Sequence, residues 1–334
     1  MAVYTSIEKD SLSSLLTNYD IGDLKNFEGI VEGVENTNYK ITTSKNMFIL
    51  TIFEKRVNEN ELPFFIELQK HLSSKNIRCP EPVADKNHRF INKISNKNCV
   101  IMSFLEGKKI EQPTEEHCQQ IGLELAKIHQ NTKDFSLTRE NNLHFSHWQD
   151  IFEKCKKSSY TNNQISNSGF NHGQIKIYSD LFEPIQKELN YLKKWWPQDL
   201  PRGIIHADVF KDNVFFENDK LTGLIDFYFA CNDYYAYELA ICINDWCFNL
   251  AKTFQIKKYN SMLKGYQQLR ELSAKETENM PILLRGAAMR FLLTRLHDQL
   301  YLQKDALVKP KDPMDYYYIL NTHQLVQNHG SGPS

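Results

Sequence analysis

Ile204-Ile205-His206-Ala207-Asp208-Val209-Phe210-Lys211-Asp212-Asn213-Val214-Phe215-Phe216, followed by Leu221-Thr222-Gly223-Leu224-Ile225-Asp226-Phe227, is the stretch whose reading decides the fold of this chain. Short apolar, strand-like runs bracket a polar turn, so the oxygen-bearing side chains of Asp208, Asn213 and Asp226 are expected to converge at one mouth. Moving a phosphoryl group requires a carboxylate that orients and deprotonates an attacking hydroxyl, and hard oxygen ligands for magnesium on the phosphates. Asp208 in His206-x-Asp208-x4-Asn213 is the candidate base and Asn213 a candidate metal ligand. Asp226, thirteen residues after Asn213 at the end of an apolar run, is the second metal candidate. The competing reading is a surface turn that happens to carry acids. The set spacings, the Gly-Leu-Ile run before Asp226 and a hairpin upstream weigh against it.

This spacing resembles the catalytic loop and metal-binding Asp-Phe-Gly of protein kinases, but Tyr228 stands where that Gly would be and no Ala-Pro-Glu follows. Both departures argue against a protein kinase. The wording is closer to the aminoglycoside phosphotransferase-like small-molecule kinases, and within them the chain is similar to the bacterial homoserine kinases of that type. The resemblance is carried by Met1-Ala2-Val3-Tyr4, Glu32-Gly33-Val34-Glu35-Asn36-Thr37-Asn38-Tyr39, Phe53-Glu54-Lys55-Arg56 and Leu62-Pro63-Phe64-Phe65 in the first part of the chain. It continues through His206-Ala207-Asp208 and Asp226-Phe227-Tyr228-Phe229-Ala230-Cys231-Asn232-Asp233 to Arg290-Phe291-Leu292-Leu293-Thr294-Arg295. It implies an α+β, bilobal kinase-like fold, with ATP and Mg2+ as cofactors. The reaction it implies is phosphorylation of the L-homoserine hydroxyl to O-phospho-L-homoserine, on the way to threonine. Spacing alone does not name the acceptor. Choline, methylthioribose and aminoglycosides are phosphorylated on the same fold, and a nucleotide-binding pseudokinase is the rival from outside the enzymes.

The chain has 334 residues with 40 Lys and Arg against 41 Asp and Glu, a net charge of -1. Such a balance offers no global attraction to nucleic acid or an anionic membrane, and neither is expected as a partner. Seven cysteines without a Cys-x-x-Cys pair read as free thiols in a reducing compartment. His144-x-x-His147 has no Cys or Glu placed as a zinc site would need, and reads as a loop pair. Acids near the N-terminus and the lack of an apolar run of membrane-spanning length lead to the expectation of a cytoplasmic protein.

Helical spacing of Leu12, Leu15, Leu16 and Tyr19 predicts a helix over Lys9 to Tyr19, and strands follow over Ile30-Val31, Tyr39 to Thr43 and Met47 to Phe53. In a kinase the turn before the second strand folds over the nucleotide phosphates, which makes Gly33, Asn36 and Asn38 nucleotide-binding candidates. Taken alone, those residues would also suit a plain hairpin turn. The third strand lacks the lysine a kinase uses on the phosphates. Lys40, Lys55 and Arg56 are the nearby cations, with Lys55 favoured and a solvated strand end as the alternative for Lys55 and Arg56. Leu62, Phe65, Ile66, Leu68 and Leu72 predict a helix from Glu59 to Leu72, in which Glu67 is either a lysine brace or a solvent-facing acid.

Cys99 to Leu105 reads as a buried strand leading into the link between lobes, and Thr114 as the N-cap of the next helix. Residues 131–175 show little periodicity and read as insertions or substrate-side loops. Asp180 to Trp196 is predicted helical, as is Met280 to Leu302. Tyr234, Tyr235, Tyr237 and Trp246 are read as packing. Asp233, seven residues past Asp226, is the candidate for an acceptor ammonium, with a helix cap as the alternative. Arg290, amid Ala287, Ala288, Phe291 and Leu292, is the candidate for an acceptor carboxylate, with a bridge between helices as the alternative. Arg295 is expected to pair with Asp298. The expected division is a nucleotide-covering lobe over 1–106, a catalytic and acceptor-binding lobe over 107–325 and a flexible tail over 326–334.

Overall fold

Alternation with a period of two buries Thr37, Tyr39, Ile41 and Thr43 on one face of a strand in the computed structural model, which describes residues 4–30, 36–54, 58–164, 178–301 and 310–329. That strand belongs to an antiparallel sheet that fits the expected small lobe. Its elements are α1 (Lys9–Leu16), β1 (Leu24–Ile30), β2 (Thr37–Thr43), β3 (Met47–Ile52), α2 (Leu62–Ser74), β4 (Ile91–Ile94) and β5 (Lys97–Ser103), with the strands in the order β1-β2-β3-β5-β4. The register places Tyr39 opposite Leu50 and Leu50 opposite Ile101. Leu12, Leu15 and Leu16 of α1 join Ile41, Leu50, Ile52, Cys99 and Ile101 in one apolar cluster. Pro63 sits in the first turn of α2, where a missing N–H costs nothing.

The helical part of the chain comprises α3 (Glu115–Asn131), α4 (Trp148–Gln164), α5 (Phe182–Trp195) and β6 (Arg202–Ile205). After the hairpin of β7 (Val214–Glu217) and β8 (Lys220–Leu224) come β9 (Cys231–Tyr234), α6 (Tyr235–Trp246), α7 (Ile256–Tyr266), α8 (Ala274–Leu300) and α9 (Met314–His329). β6 and β9 pair antiparallel, with Ile205 opposite Cys231. The chain forms two compact units that are interleaved in sequence. Met1–Ile110, Asp134–Arg139 and Asp212–Tyr228 make the first, and Glu111–Lys133, Glu140–Lys211 and Phe229–Ser334 the second. A division into contiguous pieces does not describe them, because the β7–β8 hairpin groups with the sheet. The Leu224 N–H donates to the Arg78 carbonyl at 3.0 Å, and Lys108 bridges to Phe216. Gly223 permits that approach, since a Cβ there would collide with the Arg78 carbonyl oxygen.

Several helices depart from expectation. Within 131–175, α4 buries Trp148, Phe152 and Cys155, a spacing of four and then three that the polar residues around it dilute in the sequence. α8 begins at Ala274 rather than Met280, because Ser273 and Glu276 form a reciprocal capping box and Pro281 is accommodated inside the helix. α7 and α9 were not anticipated. α9 is described as far as His329, past the start of the expected tail; residues 330–334 lie outside the described residues. Arg295 donates to the Asp312 carbonyl and pairs with Asp315 at 3.3 Å, whereas Asp298 lies 3.7 Å from His297. An α9 that supplies a better-placed acid explains that difference.

α9 is docked through a buried hydrogen bond in which His323 Nε2 donates to Asn244 Oδ1 at 2.7 Å, while Asn244 Nδ2 donates to the Leu284 carbonyl at 2.9 Å. Burial, aided by the Arg285 charge, pulls the His323 imidazole down from 6.5 to about 4. An unfolded chain therefore takes up a proton below pH 6.5 that the folded chain refuses until about pH 4. The stabilisation is complete above 6.5 and lost as pH falls toward 4. Folded wild type is expected to lose about 2 kcal/mol between pH 7 and pH 5 from this group, and His323→Gln to lose correspondingly less. Parallel denaturant titrations of both proteins at the two pH values check this; identical losses would show that His323 does not carry the effect.

Candidate active site

β6 delivers the chain to a turn at Ala207, whose φ of +63° is unusual for a residue other than glycine. Its backbone is held on both sides. The Glu238 carboxylate of α6 accepts the N–H of Ala207 at 2.6 Å and that of His206 at 3.0 Å, and Arg290 Nη1 of α8 donates to the Ala207 carbonyl at 2.6 Å. Asp208 follows, half-buried, and the next residues are also tied down. Trp246 Nε1 donates to the Val209 carbonyl at 2.9 Å, Phe210 packs on Phe291 with centroids 4.7 Å apart, and the Lys211 N–H donates to Asp245 Oδ2 at 2.8 Å.

Behind Glu238 lies a buried chain of hydrogen bonds whose proton positions follow from its ends. Arg270 can only donate, so Tyr266 Oη accepts from Arg270 Nη1 at 3.1 Å and donates to His129 Nδ1 at 2.8 Å. His129 Nε2–H then donates to Glu238 Oε2 at 2.9 Å. Burial alone would push the Glu238 carboxyl up. The hydrogen bonds donated by His129 and by the Ala207 N–H outweigh it and hold the group below the usual range. Burial pulls His129 down despite the facing Glu238. An ionised Glu238 opposite a neutral imidazole is what this hydrogen-bond chain requires.

In the first unit, the β7–β8 register pairs Val214 with Leu224, and the Ile225 N–H donates to the Asn213 carbonyl at 2.9 Å. Asn213 and Asp226 therefore emerge at the same end of one hairpin. Asp226 is exposed and takes a φ of +64°, a conformation Asp tolerates better than most residues. Tyr228 fills an aromatic cluster with Phe53 and Phe65, edge-on at 5.2 and 5.5 Å. Burial, and then the Asp226 charge, raise its phenol pKa. A glycine could not supply this packing.

The nucleotide candidates are placed unevenly. Gly33, Lys55 and Arg56 lie outside the described residues. Asn36 accepts from the Glu54 N–H at 3.4 Å, and Asn38 accepts from Thr51 Oγ1 at 2.7 Å, so both side chains face β3 or the residues just after it. Lys40 pairs with Glu28 at 3.4 Å. Lys97 pairs with Glu54, which also accepts from Thr5 and Thr37 at 2.6 and 2.8 Å. Glu67 pairs with Lys70 of its own helix at 2.9 Å and is solvent-facing.

Both acceptor candidates are enclosed. Asp233 is 2% exposed, with Oδ2 accepting from Asn141 at 2.7 Å and Oδ1 from the Tyr234 N–H at 2.8 Å. Arg290 is 3% exposed. A cavity of about 390 Å³ lies elsewhere in the second unit, lined among others by Lys211, Asp245, Lys258, Arg295, Asp315 and Tyr316. Tyr316 Oη is buried with no partner among the described residues, and its phenol pKa is raised by burial, then by the charges of Asp245 and Asp208. Among the described residues, no helix is long and apolar enough to cross a membrane, and no three His, Cys, Asp or Glu cluster as a metal site.

Sequence reasoning missed Glu238 and His129. A single acid in the apolar run Tyr235 to Ile243 was the available signal, since a charge at such a position must be buried and paired.

Asp208 on its pinned loop, and Asp226 beside Asn213 on the hairpin, are the residue types that phosphoryl transfer uses. The fold agrees, being similar to that of an amicoumacin kinase solved with AMP-PNP, Ca2+ and Ami, with a TM-score of 0.70 at 14% identity over 98% of this chain and 96% of that one. The model of the phosphotransferase enzyme family matches residues 26–272. The homoserine kinase of Agrobacterium fabrum is 42% identical, covering 98% of this chain and 97% of that protein. The homoserine kinase of Methylobacterium radiotolerans is 44% identical, covering 98% of each. The chain belongs to the homoserine kinase family within the phosphotransferase enzymes.

Proposed function

We propose that this enzyme transfers the γ-phosphoryl group of ATP to the hydroxyl of L-homoserine, giving O-phospho-L-homoserine and ADP. The observation that carries the reading is near full-length identity of 42–44% to homoserine kinases. The Asp208, Asn213 and Asp226 constellation is the chemistry such a reaction uses. In this reaction Asp208 orients the acceptor hydroxyl and takes its proton as the bond from oxygen to the γ-phosphorus forms and the bond to the β-phosphate oxygen breaks. Magnesium fits the donor set, because an amide oxygen and a carboxylate are hard ligands and phosphate oxygens and water complete such a shell. Asn213 and Asp226 would hold the ion, which supplies charge neutralisation on the phosphates when bound.

For the nucleotide we retain Gly33, Asn36, Asn38 and Lys55 as the proposed contacts. With the two Asn side chains turned toward β3 and its end, their contribution would come through backbone N–H groups. For the acceptor, Asp233 and Arg290 are the residues nominated by sequence. The cavity beside Lys211 also carries both signs of charge that a free amino acid presents, and Lys211 lies three residues past Asp208. Seven buried cysteines suit a reducing, cytoplasmic setting.

Coupled ADP release from purified protein tests the proposal, with L-homoserine, L-serine, choline, methylthioribose and an aminoglycoside offered in parallel. Homoserine is expected to give a kcat/KM at least about 10²-fold above choline, methylthioribose and the aminoglycoside, because a site built for both charged ends rejects acceptors lacking one, and about 10-fold or more above L-serine, whose hydroxyl is one methylene short. Turnover of choline or an aminoglycoside at a rate matching homoserine would move the protein to another acceptor class.

A further inference from the structure

Arg290 is buried in a way that no packing role explains. Burying a guanidinium is costly unless it is paired, and no ion pair to Arg290 is found among the described residues. Its Nε has no partner among them, and its guanidinium lies over the ring faces of Phe291 at 4.1 Å and Phe229 at 5.6 Å. An aliphatic side chain would fill that space at lower cost. What arginine adds is a charged donor on one atom, the Ala207 carbonyl oxygen.

That atom matters because of the backbone it belongs to. Ala207 takes its φ of +63° without glycine's freedom and without the polar side chain by which Asn or Asp can support that conformation. Glu238 holds its N–H and Arg290 its carbonyl, so opposite charges grip the two polar groups that flank one Cα. Fixing both fixes both torsions. The next residue is Asp208.

We propose that Arg290 is a positioning residue. Together with Glu238 it clamps Ala207 in its left-handed conformation and thereby aims the Asp208 carboxylate, in place of the acceptor-carboxylate role its sequence context suggests. This rests on Asp208 being the base of the reaction proposed above.

Steady-state kinetics of Arg290→Lys, alone and combined with Ala207→Gly, tests it. Lysine keeps the charge but not the forked reach of the guanidinium. Arg290→Lys is expected to lower kcat about 10- to 100-fold, as an ångström-scale misplacement does, with the homoserine and Mg-ATP KM values each within about threefold of wild type. Glycine adopts positive φ freely, so adding Ala207→Gly is expected to restore at least about threefold of the lost kcat. A rise in homoserine KM of about tenfold or more with kcat intact would make Arg290 an acceptor ligand and overturn the clamp. An unchanged kcat in Arg290→Lys, or a double variant no better than the single one, would overturn it too. Circular dichroism confirms that each variant is folded, and if Arg290→Lys is not, the same comparison is made with Arg290→Gln, which retains a neutral donor. Asp208→Asn separates the two layers: its retaining activity would remove the base, whereas its inactivity beside a fully active Arg290→Lys would reject only the clamp.

Discussion

Asp208→Asn is expected to lower kcat by about 10²- to 10⁴-fold, the usual contribution of a well-placed general base. The change is isosteric and leaves the acid's surroundings in place: the Ala207 turn, the Val209 carbonyl held by Trp246 and the Lys211 N–H held by Asp245 are all contacts to backbone or to other side chains. Fold and nucleotide affinity should therefore survive, and the loss should appear in turnover at saturating substrates. Single-turnover measurements with homoserine and calorimetry with Mg-ADP separate the two. A variant turning over within about threefold of wild type would take Asp208 out of the chemistry.

Asp226 should produce the second large effect, on Mg-ATP rather than on free nucleoside. Asn213 and Asp226 are the residues proposed to hold the ion, so removing the one anionic ligand of the pair is expected to weaken Mg-ATP binding by about 10-fold or more, with adenosine affinity unchanged. The choice of substitution matters here. Asp226 sits at φ +64°, where alanine would add backbone strain to the loss of the ligand. Asn tolerates that conformation and keeps the size of the side chain, so Asp226→Asn isolates the charge. Equal Mg-ATP affinities for Asp226→Asn and wild type in calorimetry would mean that the metal is held elsewhere.

The sheet lobe was legible in the sequence because short apolar runs are bounded by turn residues and β2 alternates with a period of two. Thr37, Tyr39, Ile41 and Thr43 point one way by simple parity, and the Ser44-Lys45-Asn46 turn is written in turn-forming residues. The helices of the larger unit were harder, and for a physical reason. α4 and α9 bury part of one face and carry polar residues over the rest, so single-sequence periodicity is diluted, while the capping box at Ser273 starts α8 upstream of Met280 and Pro281 is accommodated inside it. At the site, residue type and spacing pointed to Asn213 and Asp226, and the structure places them at one end of a hairpin. The arginine problem was different in kind. Arg285, Arg290 and Arg295 are spaced by five on one helix, which separates them around its axis. Their partners, Glu188, the Ala207 carbonyl and Asp315, come from three distant segments that no local pattern reveals.

The interleaving of the two units sets an order on synthesis. The sheet unit draws its last piece, Asp212–Tyr228, from far downstream, and the Arg78 carbonyl and Lys108 receive their hairpin partners only from that piece. A ribosome extending the chain at about 5–20 residues per second leaves those partners unsatisfied for several seconds after residue 110 has been added. The early sheet must wait in an unfinished state, with the backbone of Arg78 and Lys108 bonded to water. A nascent chain halted shortly before Asp212 should accordingly be cut by protease near these residues, and one halted after Tyr228 has left the exit tunnel should resist.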